Sequence, residues 1–166
     1  MRTKLALLVI IALVGLACLS LVWTPHAVDG TSIMNRLKGV GGQYWLGTDH
    51  NGRDLLSMSM IGLRTSLLVS ALAILLGLLL GVPLGLLAAS YQGSWIDELI
   101  MRGNDIAFAF PAILTALMIT AVFGPAAVNA MLAIAIFTVP VFSRVVRGAA
   151  LSLWSRDFTR YAQSLG

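Results

Sequence analysis

The chain has 166 residues, is 58% hydrophobic and only 11% charged, and carries a formal net charge of +4. Its mean hydropathy is +0.91. A soluble domain carries about 25% charged residues, so this composition excludes a water-soluble globule of this size and points to helices in lipid. The charges are also clustered: none lies between Arg64 and Asp97, and none between Asp105 and Arg144.

The bilayer core offers no water to backbone N–H and C=O groups, so self-satisfied helices are the expected solution. Four spans are expected, in an all-α bundle. The first runs from about Leu5 to Trp23 and follows the basic start Met1-Arg2-Thr3-Lys4. Its apolar run is longer than the ~7–15 residues of a secretory signal core, which favours a retained anchor over a cleaved peptide. Cys18 is the single cysteine, so no intrachain disulfide or thiolate cluster can form.

A polar segment follows, expected outside the membrane over residues 24–63. It holds Gly47-Thr48-Asp49 and Gly52-Arg53-Asp54. Asp49 and Asp54 can cap orphan amides at a helix start, Gly47 and Gly52 free the turns, and Arg53 can bridge carboxylates or carbonyls. A short interfacial helix is expected to lead from here into span two. A plain surface loop is the alternative for each polar residue taken singly. His26 and His50 lie in this segment and read as solvated loop histidines.

The second span is expected from about Leu67 to Ala89. Gly77, Gly81 and Gly85 recur every four residues, a spacing that lets another helix approach closely. The stripe reads either as simple close packing or as part of a translocation path. Pro83 lies within it and is expected to bend the helix. An inner loop with Asp97, Arg102 and Asp105 comes next, where salt bridges could fix the helix starts. The third and fourth spans are expected at about Ile106–Phe123 and Ala127–Phe142, split by Gly124-Pro125.

Lysine and arginine placement favours a cytoplasmic N-terminus: Arg2, Lys4, Arg102, Arg144, Arg147, Arg156 and Arg160 fall inside under that orientation. No basic and aromatic interleaving suggests nucleic acid. The sequence has no G-x-x-x-x-G-K-[ST], H-E-x-x-H or G-x-S-x-G, so no catalytic, cofactor-binding or metal residue is assigned.

From Leu46 to Gly166 a series of spaced motifs resembles the permeases of dipeptide, oligopeptide and nickel ABC importers. These are Leu46-Gly47-Thr48-Asp49, Gly52-Arg53-Asp54, Leu56-Ser57, Gly62, Arg64 and Ser66-Leu67. They continue as Tyr91-Gln92-Gly93, Asp97, Met101-Arg102, Asp105, Ala109-Phe110-Pro111, Gly124-Pro125 with Asn129, then Arg144 and Arg147-Gly148. The pattern is similar to the second permease of the pair such systems carry. The segment Arg156, Asp157, Arg160, Tyr161, Ala162 to Gly166 resembles the start of the family's cytoplasmic coupling loop. That pattern is Glu-Ala-Ala, three residues, then Gly. Ala162 and Gly166 fit it; Arg160 and Tyr161 depart, as do Met58 and Ser94 from residues usual elsewhere in the family.

The resemblance implies a three-part organisation: 1–23 an anchor, 24–63 an external loop, and 64–166 a permease domain cut within the coupling loop. It implies a bacterial inner-membrane location, a homologous second permease, two cytoplasmic ABC ATPases and an external solute-binding protein. Peptides lead as substrate, with nickel and opines open. Because relatives continue through two more spans, a truncated product or a partial record is expected; a non-transporting remnant and a membrane-embedded enzyme are the alternatives.

Overall fold

The computed structural model describes residues 2–156. They form five α-helices: α1 (Arg2–Leu19), α2 (Leu55–Ser90), α3 (Trp95–Ala109), α4 (Ala112–Phe123) and α5 (Ala127–Trp154). A 3-10 turn covers Ile33–Asn35, and no strand occurs among the described residues. Among the described residues, helices α1, α2 and α5 are each long and apolar enough to cross a membrane, and α3 with α4 passes the same test only as a bent pair, either a broken span or a re-entrant loop.

The helices depart from the expected spans for local reasons. The expected interfacial helix is not separate: α2 begins at Leu55 and runs unbroken through Pro83. Its 36 residues reach about 54 Å at a rise of about 1.5 Å per residue, well beyond a ~30 Å hydrocarbon core. Pro111 interrupts the third span instead, because a proline ring excludes the helical conformation from the residue before it. Phe110 is accordingly extended, and α3 and α4 meet at a bend of 79°. The fourth span is longer than expected, continuing through Pro140 and ending at Trp154.

The chain forms two compact units, Met1–Leu68 and Val69–Gly166. In the first, α1 ends in turns that carry the chain to Trp23, and Arg64 of α2 donates to the Ser20 carbonyl at 3.2 Å. In the second, the C-terminal part of α2 packs on α5, and α3 and α4 also lie against α5. Small residues dominate the core, including Ala73, Ala88, Ala89, Ala133 and Ala150. Large apolar side chains such as Leu79, Ile113 and Val122 face outward, the inverse of a soluble protein.

Candidate functional site

Two polar constructions stand out against this apolar background, one in each unit. The first is the segment that precedes α2. Gly47 and Gly52 both adopt left-handed backbone, at φ of +78° and +77°. A side chain at Gly52 would strike the Ser32 carbonyl, and a Cβ at Gly47 would sit 2.6 Å from the Lys38 carbonyl. Glycine is required at both for conformation and for space. The close approach lets Thr48 N–H donate to the Lys38 carbonyl (3.0 Å), while Lys38 N–H donates to Thr48 Oγ1 (2.8 Å).

Asp49 organises the turn between the glycines. Its Oδ1 accepts the backbone amides of Asn51 and Arg53, each at 2.8 Å, and its Oδ2 accepts Arg53 Nε at 3.1 Å. The Arg53 amide is the main cause holding this carboxyl below its usual pKa. Burial opposes it in part, and the Asn51 amide and the Arg53 side chain add to it. Asp49 thus ties a turn, whereas Asp54 caps a helix. Asp54 is 2% exposed, and its Oδ2 accepts Ser57 N–H (3.1 Å) and Ser57 Oγ–H (2.6 Å) at the first turn of α2. Burial pushes this carboxyl up, but the Ser57 bonds and the His26 and Leu56 contributions outweigh it, so its pKa falls below the usual value.

His26 is less solvated than a loop histidine was expected to be. Its amide donates to Ser57 Oγ at 3.0 Å, and its Nδ1 lies 3.4 Å from Asp54 Oδ2. Its ring stacks on buried Tyr44 at 4.7 Å. The sequence offered no periodicity that could have linked His26 to Ser57 across 31 positions.

The second construction joins α3 to α5. Asp97, Arg102 and Asp105 do not lie in an inner loop: all three are helical, on α3. Asp97 is buried, accepts the Gly93 amide at 3.0 Å, and takes a two-point fork from Arg147 of α5, Nε at 2.7 Å and Nη2 at 2.6 Å. Two turns along α3, buried Asn104 donates from Nδ2 to buried Ser143 Oγ at 3.2 Å. Asp105 pairs with Arg144, whose guanidinium also lies over the Phe108 ring at 4.7 Å. Arg102 instead pairs with Glu98 on its own, exposed helix face. The residues 97, 104, 105 and 108 recur at helical spacing, so one face of α3 meets positions 143, 144 and 147 of α5.

The glycine stripe of α2 faces the same helix. A Cβ on Gly77 would lie 2.5 Å from Thr138 Cγ2, on Gly81 2.6 Å from the Val139 carbonyl, and on Gly85 2.5 Å from the Ser143 carbonyl. No larger residue fits without moving a helix. Arg156 is exposed just beyond the C-cap of α5; Asp157, Arg160, Tyr161, Ala162 and Gly166 lie outside the described residues.

A multi-spanning helical membrane protein with a polar seam between a broken span and a long helix is the class these features define. The chain belongs to the family of binding-protein-dependent transport system inner membrane components, whose pattern matches residues 81–166. It is 40% identical to the dipeptide transport system permease protein DppC of Alkalihalophilus pseudofirmus, over 99% of this chain and 55% of that protein. It is 38% identical to the glutathione transport system permease protein GsiD of Pectobacterium atrosepticum, over 96% of this chain and 53% of the relative. The chain therefore spans about half the length of these relatives.

Proposed function

We propose that the chain serves as a membrane-spanning subunit of a bacterial inner-membrane ABC importer for short peptides. The named relatives carry the reading, since one is a dipeptide and one a glutathione permease. Glutathione is itself a short peptide, so both names favour peptide solutes over nickel or opines. The partners would be a homologous permease, two cytoplasmic ATPases and an external solute-binding protein.

The two polar constructions suit such a role. The segment before α2 is held by short turns and a buried cap, so it can present a fixed surface outside the membrane. The α3–α5 seam ties the broken span to the helix that leads toward residues 156–166, the proposed ATPase-facing segment. Alternating access needs helices that move as bodies, and a forked, buried ion pair is a means of joining two helices into one body.

Uptake of a radiolabelled dipeptide by cells that lack their own peptide permeases tests the proposal. Cells carrying a full-length permease that contains this sequence, with its partner subunits, should accumulate label only while ATP is available. Accumulation of nickel but not dipeptide under the same conditions would overturn the peptide assignment.

A further inference from the structure

The paired carboxylates differ in the cation that faces them. Asp49 meets Arg53, Asp97 meets Arg147, Asp105 meets Arg144 and Glu98 meets Arg102. A guanidinium does not deprotonate in proteins, so those cations are permanent. Asp54 is the exception. Its ion partner among the described residues is His26, whose Nδ1 lies 3.4 Å from Oδ2. Its contacts with Ser57, through an amide and a hydroxyl, are neutral.

Burial makes this difference matter. Asp54 Oδ1 and His26 Nδ1 are both buried and lack a hydrogen-bond partner. A neutral imidazole carries its proton on one nitrogen, whereas the protonated ring donates from both. With Nδ1 bare, its lone pair faces a buried carboxylate. With the ring protonated, the same approach becomes a charge-assisted hydrogen bond, about twice as strong as a neutral one. The His26 side chain is 34% exposed, so a proton reaches it from solvent. Asp54 stays ionised while an imidazole titrates: burial raises its pKa, but the Ser57, His26 and Leu56 contributions hold it below the ordinary carboxylate value.

Other charged groups of the same unit are engaged elsewhere. Tyr44 stacks on the His26 ring at 4.7 Å, and Lys38 Nζ, 5.8 Å from the Tyr44 ring, bonds to Asn35 Oδ1. Arg53 is held by Asp49, Arg36 donates to the His50 carbonyl, and Arg64 donates to the Ser20 carbonyl. The Arg64 bond fixes the end of α1 against α2, and farther on the His26 amide donates to Ser57 Oγ at 3.0 Å. Residues 20–26 thus strap the end of α1 to the first turns of α2.

We propose that His26 and Asp54 form a proton-binding site that works as an acid-tightened clasp on this strap. Protonation sets a charged N–H donor against the buried carboxylate and locks the strap. As pH rises and the proton leaves, the strap is held by the His26 amide alone. The stability it contributes is therefore present at lower pH and lost on going up, the reverse of what the carboxylates of Asp49 and Asp54 contribute. The change stays local, because the Asp49 turn and the Asp54–Ser57 cap do not draw on the imidazole charge. The strap belongs to the segment proposed to lie outside the membrane, where the medium sets the pH.

Hydrogen–deuterium exchange, read by mass spectrometry on a full-length permease that contains this sequence in lipid nanodiscs, tests the clasp. The peptide covering residues 20–30 is compared at about pH 5.5 and about pH 8, the range over which an imidazole changes charge. Rates are corrected for the intrinsic pH dependence of exchange and read relative to a peptide of α5, so a general loss of folding does not mimic the effect. Protection should be roughly five-fold higher at the lower pH, as a charged hydrogen bond replaces an unpaired contact. His26→Gln keeps the amide bond to Ser57 but has no titratable ring, and should abolish the difference. Asp54→Asn, which retains an acceptor for Ser57, should abolish it too. His50→Gln, a change at the chain's other histidine, should preserve it. Equal protection of the wild type at both pH values, greater protection at the higher one, or a difference that survives in His26→Gln would overturn the clasp.

Discussion

The guanidinium of Arg147 grips the carboxylate of Asp97 at two points, 2.7 and 2.6 Å, across 50 positions of sequence. Asp97 is 5% exposed, and the Gly93 amide completes its shell. This fork holds the start of α3 against α5.

Removing one partner should hurt more than removing both. Arg147→Gln leaves a buried carboxylate without its cation, and a loss of about 2 kcal/mol is expected after discounting for the part-exposed guanidinium. Arg147→Lys keeps the charge but loses the fork, so its loss should be smaller. Thermal aggregation of the detergent-solubilised protein gives the ranking; Arg147→Lys behaving as badly as Arg147→Gln would show that charge contributes little.

The glycine stripe predicts an alanine effect of opposite sign at different glycines. Alanine in a helix gains about 1 kcal/mol over glycine. At Gly62, where nothing lies within 4 Å of the added carbon, that gain should appear as stabilisation. At Gly81 the added carbon meets the Val139 carbonyl at 2.6 Å and Phe142 Cβ at 2.8 Å. Overpacking costs about 1–3 kcal/mol, so Gly81→Ala should destabilise the α2–α5 pair. Equal melting temperatures for the two variants would mean α2 and α5 can separate freely.

Acid should open the segment before α2. Asp49 and Asp54 are both held below the ordinary carboxylate value of 3.8. A carboxylate lowered in the folded state contributes stability that is fully present above its unfolded value and is lost as pH falls through the folded one. Proteolysis of the residues 24–54 should therefore stay slow at pH 5 and above, then accelerate below about 3.8. In Asp54→Asn that acid step should shrink, with a weakened segment already at neutral pH. An unaltered acid step would exclude Asp54 as a contributor.

Orientation is checked by labelling. Cys18 is exposed and must be replaced first. A new cysteine at His50 should react with a membrane-impermeant thiol reagent in intact cells, and one at Arg102 should not. The reverse pattern would invert the topology.

Composition and charge clustering determined the all-helical membrane class, because nothing else pairs backbone groups within an apolar run of such length. Local chemistry was equally legible. Gly47 and Gly52 announced turns, Asp49 and Asp54 both read as helix caps although only Asp54 is one, and the four-residue glycine period announced a close helix approach. What sequence could not place were partners chosen across long separations. Asp97 meets Arg147, Asn104 meets Ser143 and His26 meets Ser57 only because the bundle brings distant turns together. The salt bridges expected around Asp97 and Asp105 form, but on a helix instead of in a loop, and their partners Arg147 and Arg144 lie on α5, which no local pattern announces. Likewise Pro83, Pro111 and Pro140 look alike in sequence. Only the tertiary structure decided that α2 and α5 run through theirs while Pro111 breaks a span. A proline's effect depends on whether surrounding helices compensate the hydrogen bond it removes.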